Sequence, residues 1–190
     1  MWDGRSAGSG PVITVHVMDH VILLRGINVG GINIKMADLR AALTEAGFSD
    51  VRTVLATGNV HLRSPMRGAE LKSSVEKVLS DRFGYEAWVI VLDVPTLRGI
   101  VDDYPFDAER DGWHPYVIFG NDDTHLAELA AIGDTLDPAL ERIAAGHGVV
   151  YWEVVKGSTT DSVVGKFTAK AKFKPTTTTR NLRTLAKMLA

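Results

Sequence analysis

The 190-residue chain contains no cysteine. That absence excludes disulfides, thiolate nucleophiles, iron–sulfur clusters and cysteine-ligated zinc, and it fits a reducing, cytoplasmic setting. Long hydrophobic runs are missing too, none approaching the roughly 20 residues that span a bilayer, so no membrane partner is expected. Low-complexity sequence is confined to the four threonines Thr176 to Thr179. With 45% apolar and 23% charged residues the chain can bury a core and is not of the disordered class.

Acid is scarce at one end. Residues 156–190 carry eight Lys or Arg and the single acid Asp161, a net of +7, whereas residues 1–155 carry 13 basic and 22 acidic groups, a net of -9; together they give -2. A basic end on an acidic body points to an anionic partner or to internal docking on residues 93–141, which hold 12 acids and two arginines. Surface ion pairs contribute only about 0–1 kcal/mol each, so the split bears more on recognition than on stability.

Residues 1–17 read as a flexible leader or extension without the features of a signal peptide. Residues 18–93 then alternate regularly. His20 to Arg25 (HVILLR) suits a strand buried on both faces, and Met36 to Ala46 is a helix stopped by Gly47. Val51 to Ala56 and Val60 to Arg63 are short strands flanking the turn pair Gly58-Asn59. A helix follows over Ala69 to Phe83, then a strand over Ala87 to Leu92. Strand, helix, strand, strand, helix, strand is the order of an α+β, ferredoxin-like βαββαβ half. Residues 94–190 are expected to form a second, smaller α+β half with a basic helical end. Its elements are helices at Pro95 to Asp103, Thr124 to Ile132, Asp161 to Ala171 and Arg180 to Leu189, with strands at Tyr116 to Phe119 and Val149 to Val155.

Three segments carry the candidate chemistry. Arg25, Gly26, Asn28, Gly30 and Gly31 form a glycine-rich loop leaving a buried strand, where amides and a guanidinium can meet a phosphate or carboxylate. The spacing matches neither the dinucleotide fingerprint nor the P-loop. In the ferredoxin-like winding the first two strands run parallel, which brings this loop to the hairpin Thr57, Gly58 and Asn59. The third segment, Thr178, Thr179, Arg180 and Asn181, is expected to open the last helix, with threonine hydroxyls as caps and Arg180 directed at an anion. The structural alternative is that these motifs hold the two halves together, with Asn28 and Asn59 satisfying buried backbone groups. No metal or cofactor is expected. Asp107 to Gly112 starts like a calcium loop, but Arg110 sits inside it and Ile118 stands where the closing acid belongs. No nucleophile elbow is present, so no reaction is indicated.

LLRGINVGG at Leu23 to Gly31, TGNV at Thr57 to Val60, Tyr104-Pro105-Phe106, and TTRN followed by Thr184 and Lys187 together resemble the bacterial domain of unknown function family 1697, over about residues 19–190. The resemblance implies a two-part α+β fold with a ferredoxin-like first half, and no established activity. Two departures stand out: Thr57 where relatives usually have Ser, and Leu182 where they usually have an aromatic.

The function expected is therefore binding of a small anionic ligand, a nucleotide or phosphorylated metabolite, in a cleft formed by the glycine-rich loops. Nucleic-acid binding through the basic segment is the weaker alternative, because HVILLR and VHLR lack the aromatics on which ferredoxin-like RNA binders stack bases. A phosphoryl-transfer or hydrolytic enzyme ranks lowest, since neither loop holds a metal-binding carboxylate. Oligomeric state is not encoded in any of these features.

Overall fold

A computed structural model describes residues 16–27, 32–173 and 175–190. In chain order the elements are β1 (Met18–Leu24), α1 (Met36–Glu45), β2 (Ser49–Val54), β3 (Asn59–Ser64), α2 (Gly68–Phe83), β4 (Val89–Asp93), α3 (Val94–Asp102), β5 (Trp113–Gly120), α4 (Asp123–Ala130), a 3-10 turn (Gly133–Thr135), β6 (Glu141–Gly146), β7 (Val149–Val155), α5 (Val163–Thr168), β8 (Thr177–Asn181) and α6 (Leu182–Met188). The fold is mixed α+β, built on two antiparallel four-stranded sheets ordered β2-β3-β1-β4 and β6-β7-β5-β8. The leader expected over residues 1–17 lies almost wholly outside the described residues. None of the described helices is long and apolar enough to cross a membrane.

The unbroken apolar run of β1 has a direct structural cause. Side chains alternate across a strand, and here both faces are covered. Ile22 and Leu24 join Leu39, Leu43, Leu71, Val75 and Leu79 of α1 and α2 in one core. Val21 and Leu23 join Leu97, Val117, Phe119, Tyr151, Leu182 and Leu185 in a second core. The second core lies between the sheets, where α3 and α6 pack on each other, α3 against β1 and β4, and α6 against β5 and β2. A third core, with Ile118, Leu129, Trp152, Val154 and Val164, fills the far side of the second sheet under α4 and α5. β7 is central in its sheet and, like β1, is buried along nearly its whole length.

Most expected elements appear within two or three residues of their expected ends, and Gly84 stops α2 in the left-handed conformation at φ 68°. Three differences have physical reasons. β6 (ERIAAG) was not expected: it is an edge strand of small residues, with Ile143 its one β-branched side chain. It gives the second half as many strands as the first, so that half is not the smaller. The hairpin between β2 and β3 turns on residues 55–58 rather than on a two-residue pair, and Asn59 is already in the strand. Residues 177–181 form β8 against β5 instead of opening a helix, because alternate threonines suit a pleated surface as well as a cap. The cap of α6 is Asn181, whose side chain accepts from the Arg183 amide at 3.0 Å.

Candidate functional site

The end of β1, the β2–β3 hairpin and β8 meet at one place. The Leu24 amide donates to the Gly58 carbonyl at 2.8 Å, which fixes the hairpin beside the exit of β1. Gly58 has φ +72°, and a Cβ there would lie 2.9 Å from Leu24 Cβ and 2.7 Å from Ile27 Cδ1. Only glycine satisfies both the conformation and the contact.

Asn59, fully buried, organises the hairpin. Its amide nitrogen donates to the Val54 carbonyl at 3.0 Å and to Thr57 Oγ1 at 2.8 Å. Its Oδ1 accepts from Arg180 Nε at 2.7 Å. Arg180 also donates from Nη1 to Thr178 Oγ1 at 2.7 Å and to the Thr179 carbonyl at 2.9 Å, and from Nη2 to the Leu24 carbonyl. Four of the five guanidinium hydrogens thus meet neutral acceptors within the protein. Burial lowers the Arg180 pKa to about 10, so the group stays charged at neutral pH. No described carboxylate lies within ion-pair distance of it.

Arg25 completes the arrangement from the other side. It is half-buried, its Nε donates to the Thr177 carbonyl at 3.2 Å, and its amide donates to the Trp88 carbonyl at 3.0 Å. The guanidinium lies 5.9 Å from the centre of the Trp88 ring, and Lys72 Nζ lies 5.6 Å from the same ring. Lys72 also pairs with Glu76, whose Oε1 accepts the Val89 amide at 3.0 Å. Burial pushes the Arg25 pKa down, and no described carboxylate is within ion-pair distance of it.

Beside Lys72 a cleft of about 350 Å³ runs between the two sheets. Its floor is apolar, with Ile90, Ile100, Phe119 and Val149, and its rim carries Lys72, Asn121 and His147. This is a volume that holds a small organic ligand. Thr177, the acceptor of Arg25, pairs with Gly120 at the cleft wall.

The structure therefore brings together Arg25, Gly58, Asn59, Thr178, Thr179 and Arg180. Gly26 and Thr57 are exposed at the same edge, Gly26 with φ +71°. Asn181 turns to its helix instead. Asn28, Gly30 and Gly31 lie outside the described residues. Sequence reasoning missed Lys72 and Trp88: the first sits among ordinary helix charges, and the second reaches Arg25 only through the pairing of β1 with the segment before β4.

The basic end of the chain is partly spent on the acidic middle. Lys172 pairs with Glu128, and Arg183 lies 3.5 Å from Glu109 and donates to the Ala108 carbonyl at 2.9 Å.

Comparison with known proteins gives a family and a fold. The family model described as "Protein of unknown function (DUF1697)" matches residues 18–151. No curated protein matches the chain. Among solved structures it is similar to the conserved bacterial protein SP0830 from Streptococcus pneumoniae, with TM-score 0.75 and 23% identity over 92% of this chain and 99% of the other. At that identity the likeness speaks for the fold alone.

Proposed function

The chain belongs to this DUF1697 family of proteins of unknown function, and on that premise we propose that it binds a small anionic ligand, a nucleotide or phosphorylated metabolite, in the cleft between its two sheets. The observation that carries the reading is Arg25. It is a half-buried guanidinium with one hydrogen-bonded Nε and no carboxylate within ion-pair distance among the described residues, and it shares the Trp88 ring with Lys72, which lines the apolar cleft. Neutral acceptors leave the charge of the neighbouring Arg180 uncancelled, so the potential at this edge stays positive. The ligand's apolar part fits the cleft floor and its anionic group the Arg25 side. The β2-β3-β1-β4 order supports a ferredoxin-like reading of residues 18–93, with residues 94–190 as the second half. Pairing of Lys172 and Arg183 with Glu128 and Glu109 favours a localised site over a nucleic-acid track. The cysteine-free composition is in keeping with a cytoplasmic setting.

Arg180, Asn59 and Thr178 take the structural role instead, because their polar atoms are engaged within the protein. Thermal-shift and calorimetric titrations with pyrophosphate and ADP test the proposal. Saturable binding that Arg25→Gln weakens about tenfold or more, the loss of one charge-assisted contact, is the expected result. Absence of binding by both probes, or binding that Arg25→Gln leaves intact, overturns it.

A further inference from the structure

Along the β2 edge of the first sheet, from the start of β1 to Val54, lies a second hollow, of about 640 Å³, bounded by the start of β1, by β2 and β3, by the start of α3 and by the last turn of α6 and the residues after it. Val54, Pro95, Met188 and Leu189 give it apolar walls, and Arg52, His61, Asp19 and Lys187 give it polar ones. The β2–β3 register sets Arg52 directly opposite His61, and Arg52 Nη2 lies 3.3 Å from His61 Nδ1. A guanidinium can only donate. His61 Nδ1 is therefore the acceptor, and the imidazole proton sits on Nε2, 3.6 Å from Asp19 Oδ1.

Arg52 and Lys187 line this hollow together with Asp19 and the last residue, Ala190. Asp19 is faced by His61 and also by Arg63, at 3.7 Å, and Arg63 pairs with Asp50 at 3.2 Å. Arg52 contacts a neutral imidazole and the exposed Lys187 stands in the last turn of α6; neither has a carboxylate within ion-pair distance among the described residues. Two cations without an ion-pair partner among the described residues thus border a partly apolar space large enough for an organic molecule. We infer that this hollow is a second binding site, for an organic acid that carries one carboxylate or sulfonate on an apolar body. The anionic group meets Arg52 and Lys187, and the body lies against Val54, Met188 and Leu189. A bare inorganic anion gains nothing from those walls, and a neutral apolar compound leaves both cations unanswered.

The test uses the full-length protein and the fluorescent probe 8-anilinonaphthalene-1-sulfonate, competed by 1-naphthoate and by its uncharged counterpart 1-naphthalenemethanol. Expected are saturable binding, displacement by the carboxylate but not by the alcohol, and an increase in Kd of about tenfold in Arg52→Gln or Lys187→Gln, with Lys77→Gln, at an exposed cation of α2 outside both sites, unchanged. Lys187 is exposed, so its variant keeps the test valid if Arg52→Gln folds poorly. Non-saturable binding, equal competition by the alcohol, or Kd values within twofold of the parent in both cation variants overturns the inference. Probe binding that Arg25→Gln weakens while both cation variants leave it intact belongs to the cleft between the sheets and also overturns the inference, so failure here is distinguishable from failure there.

Discussion

Arg25 and Arg180 are exchanged between strands: each guanidinium donates to a backbone carbonyl on the segment that carries the other, Arg25 to Thr177 and Arg180 to Leu24. The two nevertheless differ in what they leave free. Arg180 has spent four hydrogens inside the protein, whereas Arg25 has donated from Nε alone among the described residues.

That difference predicts opposite phenotypes. Arg180→Met orphans buried acceptors, Asn59 Oδ1 and the Leu24 carbonyl among them, and should lower stability by about 2–4 kcal/mol in urea denaturation. Arg180→Lys should recover little of it, since an ammonium lacks the planar fork that reaches both strands. Arg25→Gln should stay within about 1 kcal/mol of the parent. Equal losses in the two variants would contradict the division of roles.

Gly58→Ala tests the close approach of the hairpin to β1. The left-handed conformation and the 2.9 Å approach to Leu24 Cβ together predict a loss of about 2–3 kcal/mol. Gly26→Ala has no neighbour within 4 Å of the added Cβ among the described residues, so the conformational cost is the one expected, about 1 kcal/mol. The ratio of the two losses, measured by chemical denaturation, separates steric from conformational demand.

Glu141 predicts a large effect that no sequence pattern announces. The carboxylate is buried, accepts from Trp152 Nε1 at 3.2 Å, and takes the amides of Val163 and Val164 at 2.6 and 3.3 Å at the start of α5. Glu141→Ala should cost about 3 kcal/mol and shift the tryptophan emission as Trp152 loses its acceptor. An unchanged spectrum and unfolding midpoint would refute this anchoring role.

His61 makes stability depend on pH. Burial, and after it the charge of Arg52, lowers its pKa from 6.5. The unfolded chain therefore takes up this proton at a higher pH than the folded one. The contribution of His61 is fully present above about pH 6.5 and declines as pH falls through the lowered folded value. In urea midpoints from pH 8 to pH 5, His61→Asn should show a smaller acid-side decline than the parent. Parallel curves would argue against it.

Much of the first half was legible because its demands are local. HVILLR reads as a strand with two covered faces, and Val21 and Leu23 do face a different core from Ile22 and Leu24. The approach of the exit of β1, Leu24 and Ile27, to Gly58 of the hairpin also followed from parallel β1 and β2. What could not be read arises from pairings distant in sequence. The role of Arg180 depends on Asn59, 121 residues away, and on Leu24, 156 residues away. Its threonine-rich setting is compatible with cap and strand alike until β5 supplies a partner. The Arg52–His61 contact comes from a hairpin register, and ERIAAG acquires strand character only from β7.

The double coverage of β1 has a consequence for synthesis. Val21 and Leu23 leave the ribosome long before Leu182, Leu185 and Met188, which share their core. The first sheet can close over α1 and α2 while its other face is still bare, so a nascent chain displays an apolar surface until α6 arrives. Stalling translation before residue 177 should therefore yield a chaperone-bound, aggregation-prone species, and release of the last two elements should discharge it.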